Sequence, residues 1–395
     1  GTAMAMAWLK RGIMTVLAGA LVMPAGASPA VGSAASASAA ATLQKLLDAE
    51  WEWELAQFPE HATSLGDHRY DDKVTDRSPA AIAARRSHHQ TLLQAVHHID
   101  RTQLTGEDRI SYDILEFTAD LAVQGDAFYR ATDPKRDLAL SSEDSPFAMN
   151  PMSGPQLSLP QLVRATRFQD ESDYRHFLQR MAQWPTSLSQ QRALLETGRS
   201  VGLVPPRAAI ERLPGQFAPL LTADLEAHPL YAPFKSFPAV IPASTQSELR
   251  SQAQALLKSS VIPALQSMRD YLAETYLPSS AVKTGASSLP NGEAYYALSL
   301  QRYNTTRMTA REIHDLGLRE VARIDNAMRE VMKEAGFEGT IAEFRTYLRS
   351  DKKFQYESAD AELAALRDIA KRIDPQLPSL FVELPRLPYG VRPMS

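Results

Sequence analysis

The chain contains no cysteine, which excludes disulfides, thiol nucleophiles and a Cys-ligated zinc, and leaves no thiol for a lipid anchor. Any metal would have to be held by histidines and carboxylates. Histidine is also sparse. The nine are His61, His68, His88, His89, His97, His98, His176, His228 and His314, and no two stand three or four apart, the spacing that puts two ligands on one helix face. His89 and His97 lie about 12 Å apart along a helix axis, too far to share an ion, so His88-His89 and His97-His98 read as solvated or boundary residues. The sequence has no dinucleotide-binding G-x-G-x-x-G and no Gly-rich phosphate loop. Basic residues cluster only in pairs such as Arg85-Arg86 and Lys352-Lys353, and 42 Lys+Arg against 46 Asp+Glu leave a net charge of −4. That balance argues against nucleic acid as a partner.

What is present is a globular composition, 44% hydrophobic over 395 residues, enough for a buried core and for more than one domain by length alone. Residues 1–41 read as a signal peptide and flexible lead-in. Lys10 and Arg11 form a short basic region, Gly12 to Met23 is an apolar stretch, Ala25-Gly-Ala27 offers small residues for cleavage, and the Ala/Ser-rich 28–41 follows. A retained anchor is the other reading of the apolar stretch, although it is short for a bilayer span. Cleavage predicts export to the periplasm or outside the cell, with no stable membrane association afterwards.

From residue 42 onward the patterning predicts a mainly α protein, a multi-helix array with long Pro-rich loops and a few short strands near the C-terminus. Leu43, Leu46, Leu47, Trp51 and Leu55 predict a helix over 42–57, closed by Pro59. Ser78-Pro79 opens a helix running to about His98, and a third follows over about 106–129. Residues 131–160 read as a long loop, helices begin near Ser172 and Pro185, and the second of these ends at Gly198. Eight prolines break 202–242. Thr245 with Glu248 predicts a capping box for a long helix to about Tyr276, kinked at Pro263. Thr309 with Glu312 and Thr340 with Glu343 predict two more. The helix after Thr309 is expected to bury Ile313, Gly317, Val321, Ile324, Met328 and Val331 and to stop at Gly336, and a last helix covers about 358–373. Strand-like stretches are Glu293 to Tyr303, Phe381-Val382 and Tyr389-Val391.

Several blocks of sequence point to a family. They are PEHATSLGDHRYDDKVTDRSP at 59–79, GLVPPRAAIER at 202–212, PNGEAYY at 290–296, YNTT at 303–306, EIHDLG at 312–317 and LPRLPYGVRPM at 384–394. In this order they resemble the bacterial family called domain of unknown function 885, whose members look like secreted, mostly helical zinc peptidases. The resemblance implies a gluzincin-like hydrolase, with zinc held by an HExxH helix and a later Glu, zinc-activated water as the nucleophile, and short peptides as substrate. No HExxH occurs in this sequence. On that resemblance residues 42–395 form a single helical domain, the helical part of a zincin-like peptidase, with the catalytic portion expected beyond residue 395. Zinc is then expected for the intact protein and not for this chain, which has no catalytic or metal-ligating residues of its own.

The candidates for substrate contact are Tyr295, Tyr296, Arg302, Arg207 and His314. In an extended segment consecutive residues face opposite sides, so one of the two tyrosines can pack while the other presents its phenol to a cleft. A phenol can steady an oxyanion and an arginine can bind a carboxylate. A packing tyrosine and a salt-bridged arginine are the competing reading. Arg207, presented by Pro205-Pro206, reads equally as a helix-start charge, and His314 as a helix-face residue near the cleft. Asp173 and His176, at i and i+3, can pair on a helix surface. Two functions stand: the helical substrate-channel portion of an exported zinc-dependent peptidase, or a non-catalytic helical binding module or decayed enzyme.

Overall fold

The computed structural model describes residues 31–132, 144–281 and 283–393. Among them helices dominate and no sheet forms; the β-type pairings are the isolated bridges Asn150 to Ser153 and Pro206 to Ala281. The protein is mainly α. The apolar leader falls outside the described residues, but the expected flexible lead-in does so only in part, because helix α1 (Val31–Gln57) already begins at Val31. No helix among the described residues is long and apolar enough to cross a membrane. Where the sequence suggests one domain over 42–395, the chain divides into two compact units, one ending at Thr306 and one spanning Arg307–Ser395.

The first unit begins with α1, a short helix α2 (Pro59–Ser64), α3 (Pro79–His97) and α4 (Gly106–Thr132). Ser78 caps α3 by accepting from the Ala81 N–H, with Pro79 in the first turn where its missing N–H costs nothing. Leu43 and Leu47 of α1, Leu92 and Val96 of α3 and Leu115 of α4 close a small apolar core. Residues 133–143, part of the expected 131–160 loop, lie outside the described residues. The end of that loop is helical: α5 (Pro155–Ala165) starts at Gly154, which has φ 129° and a Cβ position already filled by the Gln156 side chain, so only glycine fits.

The two helices expected around Pro185 are one, α6 (Glu171–Ser200), capped by Asp170, whose side chain accepts from the Asp173 N–H. Pro185 removes one donor from its ladder without ending it. The Pro-rich 202–242 forms only short turns, yet it contributes Ile210, Phe217, Leu230 and Phe234 to the main core beside Phe177 and Met181 of α6. Each such side chain taken fully out of water contributes about 1.5–3 kcal/mol.

The capping box expected at Thr245 does not form. Helix α7 (Ala243–Leu256) starts three residues earlier behind Pro242, and Glu248 instead meets Arg175 at 3.2 Å. A π-turn at Leu257–Val261 separates α7 from α8 (Ile262–Tyr271). The wider turn sits where Pro263 has no N–H to give, so the expected irregularity takes the form of a π-bulge.

Residues 293–303 are helical, not extended. Helix α9 (Gly292–Asn304) is bounded by two left-handed residues, Asn291 and Thr305, both at φ 54°. The backbone of Gly292 lies against the Ala286 carbonyl, where a Cβ would collide. A β-branched residue in the left-handed region, as at Thr305, carries strain.

The second unit holds α10 (Ala310–Glu334), α11 (Ile341–Ser350) and α12 (Ala359–Ile373). Both expected capping boxes form. The Thr309 and Thr340 N–H groups each donate to the Oε2 of Glu312 and Glu343 at 2.7 Å, and the Glu312 and Glu343 N–H groups donate back to the threonine Oγ1. Helix α10 gives way at Gly336, at φ 65°. Its expected buried stripe is exposed, with Val321 60% and Val331 54% accessible; Met332 and Phe344 are the buried apolar residues among the described part of this unit. The tail does not form strands. Pro385 and Pro388 withhold donors, Tyr389 donates its hydroxyl to the Ala370 carbonyl at 3.1 Å, and Arg367 donates to the Val391 carbonyl at 3.2 Å.

Candidate functional site

The first unit contains a cavity of about 750 Å³, within the usual range for a small-molecule site. One wall is α6, which presents Trp184, Leu188, Gln191 and Leu195 at helical spacing. A second is α5 with the turn before it, from which come Met149, Leu157 and Leu162. A third is α9, whose Tyr295, Leu298, Ser299, Arg302 and Tyr303 share one face. The last is the segment from Phe58 to Arg77.

That segment is held by a buried arginine. Arg180, fully inaccessible on α6, donates to the carbonyls of Lys73 at 2.7 Å and Tyr70 at 2.6 Å and to the Thr63 hydroxyl at 3.0 Å, with Asp71 at 3.8 Å. Burial pulls its pKa down, and Asp71 works against that pull. Asp71 in turn accepts from Thr63 at 2.5 Å and lies 2.9 Å from His68. Block 59–79 is therefore a folded strap across α6, and its geometry brings Glu60, His61 and Arg77 into the cavity wall.

Among the described residues the charged side chains of the wall are Arg77, Arg302 and Glu60, and the Glu60 oxygens accept from the Thr75 N–H at 3.0 and 3.1 Å and from its hydroxyl at 2.6 Å. Burial pushes the Tyr295 phenol up, so it stays protonated at neutral pH. Trp184 is 2% accessible, and its indole N–H has no acceptor. A buried donor without a partner is costly and marks a place where an acceptor would be favourable.

Of the residues singled out from sequence, Tyr295 and Arg302 come together on this wall. Tyr296 is next in the α9 helix, about 100° round, and half exposed; the opposite-face argument for an extended segment does not apply to it. Arg207 is exposed outside the cavity, its backbone N–H donating to the Ala281 carbonyl at 3.1 Å. His314 is an exposed residue of α10 in the second unit. Trp184, Arg77 and His61 were not singled out. They lie on three elements, His61 and Trp184 being more than a hundred residues apart, and the sequence marks only Pro185 beside Trp184.

The residues described do not fit a zinc ion. His88 is stacked on Trp53 at 3.6 Å and meets buried Glu50 at 2.6 Å, while His89 meets buried Asp126 at 2.7 Å. Both are half-buried boundary residues, each paired with a carboxylate. Among the described residues no three His, Asp or Glu groups converge to hold a metal. Asp173 pairs with Arg167 at 2.9 Å and not with His176. The run Gly198-Arg-Ser-Val-Gly202 has the spelling of a nucleophile elbow. It lies at a helix C-terminus with the Ser200 hydroxyl donating to Thr197, not at the strand-to-helix turn such an elbow needs.

The model of a bacterial protein family of unknown function, DUF885, matches residues 59–395. Among solved structures, the fold is similar to that of a "putative lipoprotein" from Colwellia psychrerythraea, with a TM-score of 0.72 and 18% identity over 89% of this chain. The chain spans 61% of the length of that structure. No curated protein matches.

Proposed function

The chain belongs to the DUF885 family, and from that premise we propose that it forms the helical substrate-channel portion of an exported zinc-dependent peptidase. The observation that carries the reading is the cavity in the first unit, large enough for a short peptide, with walls of mixed apolar and polar side chains that can take up side chains and fix a peptide backbone. Zinc would supply the activated water in the intact enzyme. This reading places no zinc ligand among the described residues and gives them the role of binding and orienting the substrate. Leucines of α5 and α6 take up apolar side chains, and the helices limit substrate length. The apolar leader with its preceding Lys10-Arg11 and the lipoprotein description of the Colwellia structure support export.

The test is calorimetric titration of the purified chain with defined tri- to pentapeptides, together with a turnover assay in added zinc. Saturable binding without turnover is expected. Absence of binding up to millimolar peptide would remove the channel reading. Chelator-sensitive turnover by the 395-residue chain would overturn the placing of no zinc ligand among the described residues.

A further inference from the structure

Large apolar side chains are spread very unevenly over the described surface. In the second unit seventeen of them are more than a third accessible, against six in the first, although the first is much the longer. Scattered singly such residues mean little, but a concentration of them marks an interaction surface. On α10 they follow the helix period. Gly317, Val321, Ile324, Met328 and Val331 share one face, and the seam from Val321 to Val331 is about 15 Å long. Gly317 lies in that seam with nothing near its Cβ position, so no contact within the described residues calls for a residue that weakens a helix relative to alanine. Helix α12 has a seam of its own in Leu366, Ile369 and Ile373, all exposed.

Charge narrows what can cover these seams. Residues 307–395 hold 15 Lys+Arg and 15 Asp+Glu, and both signs alternate along the polar face of α10, where Arg323 pairs with Glu320 at 2.8 Å. Such a unit has no net attraction for an anionic lipid surface or for nucleic acid, which leaves a protein surface. The Colwellia structure shares this fold over 89% of the chain, yet the chain spans only 61% of that structure. The fold there includes a further portion of polypeptide with no counterpart in this chain. We propose that the seams of α10 and α12 are the seat of the equivalent portion here, a folded stretch of polypeptide outside residues 1–395 whose own apolar surface covers Val321 and Ile369. The inference stands on the second unit and is independent of the peptide-channel reading, which rests on the first.

The experiment uses the protein as its own cells make it, isolated with an antibody against this chain and treated with an amine-reactive cross-linker. Lys333 in the last turn of α10 and Lys371 in the last turn of α12 are exposed and serve as handles. Mass spectrometry should find both joined to peptides that lie outside residues 1–395 of the same polypeptide. In parallel, Val321→Glu is placed in that protein and in the 395-residue chain. In the 395-residue chain the seam is bare, and the melting temperature should move by no more than about 2 °C. In the protein from cells the new carboxylate would be buried without a partner, and melting should fall by at least about 5 °C.

Cross-links confined to residues 1–395, those from Lys10 of the apolar leader included, would overturn the inference. Cross-links between two copies, recognised by mixing isotope-labelled with unlabelled protein, would overturn it in favour of self-association. Equal shifts for Val321→Glu in the two proteins would overturn it as well, since the seam would then be bare in both or already covered within residues 1–395. None of these outcomes touches the peptide-channel reading, whose failure is read separately by titration with peptides.

Discussion

The helices of the second unit are more clearly amphipathic than those of the first, and yet they are the less buried. In the unit ending at Thr306, Leu249, Leu257, Val261 and Leu265 are wholly inaccessible, and even an arginine is buried with its donors satisfied. In the unit Arg307–Ser395, α10 has a clean apolar stripe and two well-capped neighbours, yet Leu318, Val321 and Val331 are more than half accessible. Helix formation depends on local signals, whereas burial depends on what lies opposite. A stripe in the sequence identifies the face that is apolar and leaves open what covers it.

The largest effect that would sharpen the comparison is at Arg180. Replacing it with alanine strips the Lys73 and Tyr70 carbonyls and Asp71 of their buried partner, a change of about 3–5 kcal/mol. Urea unfolding should show that loss. Hydrogen exchange should localise it to the first unit, with the α11 amides keeping their protection. A loss below about 1 kcal/mol would mean that water satisfies these groups and that the strap is not held as described.

Next is Leu265→Ala on α8, at a position with no accessible surface, where truncation costs about 2–5 kcal/mol through lost burial and the cavity left behind. Denaturation midpoints measure it directly. A value near zero would place α8 at the edge of the core.

His228 tests the same core through pH. Its Nε2–H donates to the Leu220 carbonyl at 3.0 Å and its Nδ1 accepts from the Leu230 N–H at 3.2 Å, so the neutral ring is fully used. Burial lowers its pKa from the ordinary 6.5, against an opposing hydrogen bond to Leu220. A proton therefore binds more readily to the unfolded chain. The stabilisation is fully present above about pH 6.5 and is lost as pH falls from there towards the folded value, with a slope of at most about 1.4 kcal/mol per pH unit. His228→Asn keeps a capping acceptor and removes the titration, so its stability should vary less between pH 7 and 5. An unchanged pH profile would mean that another group sets it.

How much was legible follows the range of each interaction. The boxes at Thr309 and Thr340 were readable because donor and acceptor are three residues apart. The box at Thr245 failed because Glu248 is drawn to Arg175, 73 residues away, and because Pro242 starts the helix first. Residues 293–303 looked extended from their tyrosines, but the close approach of Gly292 to Ala286 and the left-handed Asn291 launch a helix there. On the cavity wall, Tyr295 and Arg302 stood out because they share one short segment. Arg77 and Trp184 did not, since the strap and α6 meet through Arg180, Gln183 and Gln190, whose partners are more than a hundred residues distant.

The smallest expected effect cuts closest to the comparison. Val321 on α10 is 60% accessible, so Val321→Ala should change stability by no more than about 0.5 kcal/mol, as for surface positions generally. Alanine also has the higher helix propensity, which offsets part of the lost contact. Measured beside Leu265→Ala in the same denaturant, it asks whether the stripe on α10 is bare in solution. A cost approaching that of Leu265→Ala would show that the face is covered there. The contrast between the units would then lie in what the chain is accompanied by, and not in how its helices pack.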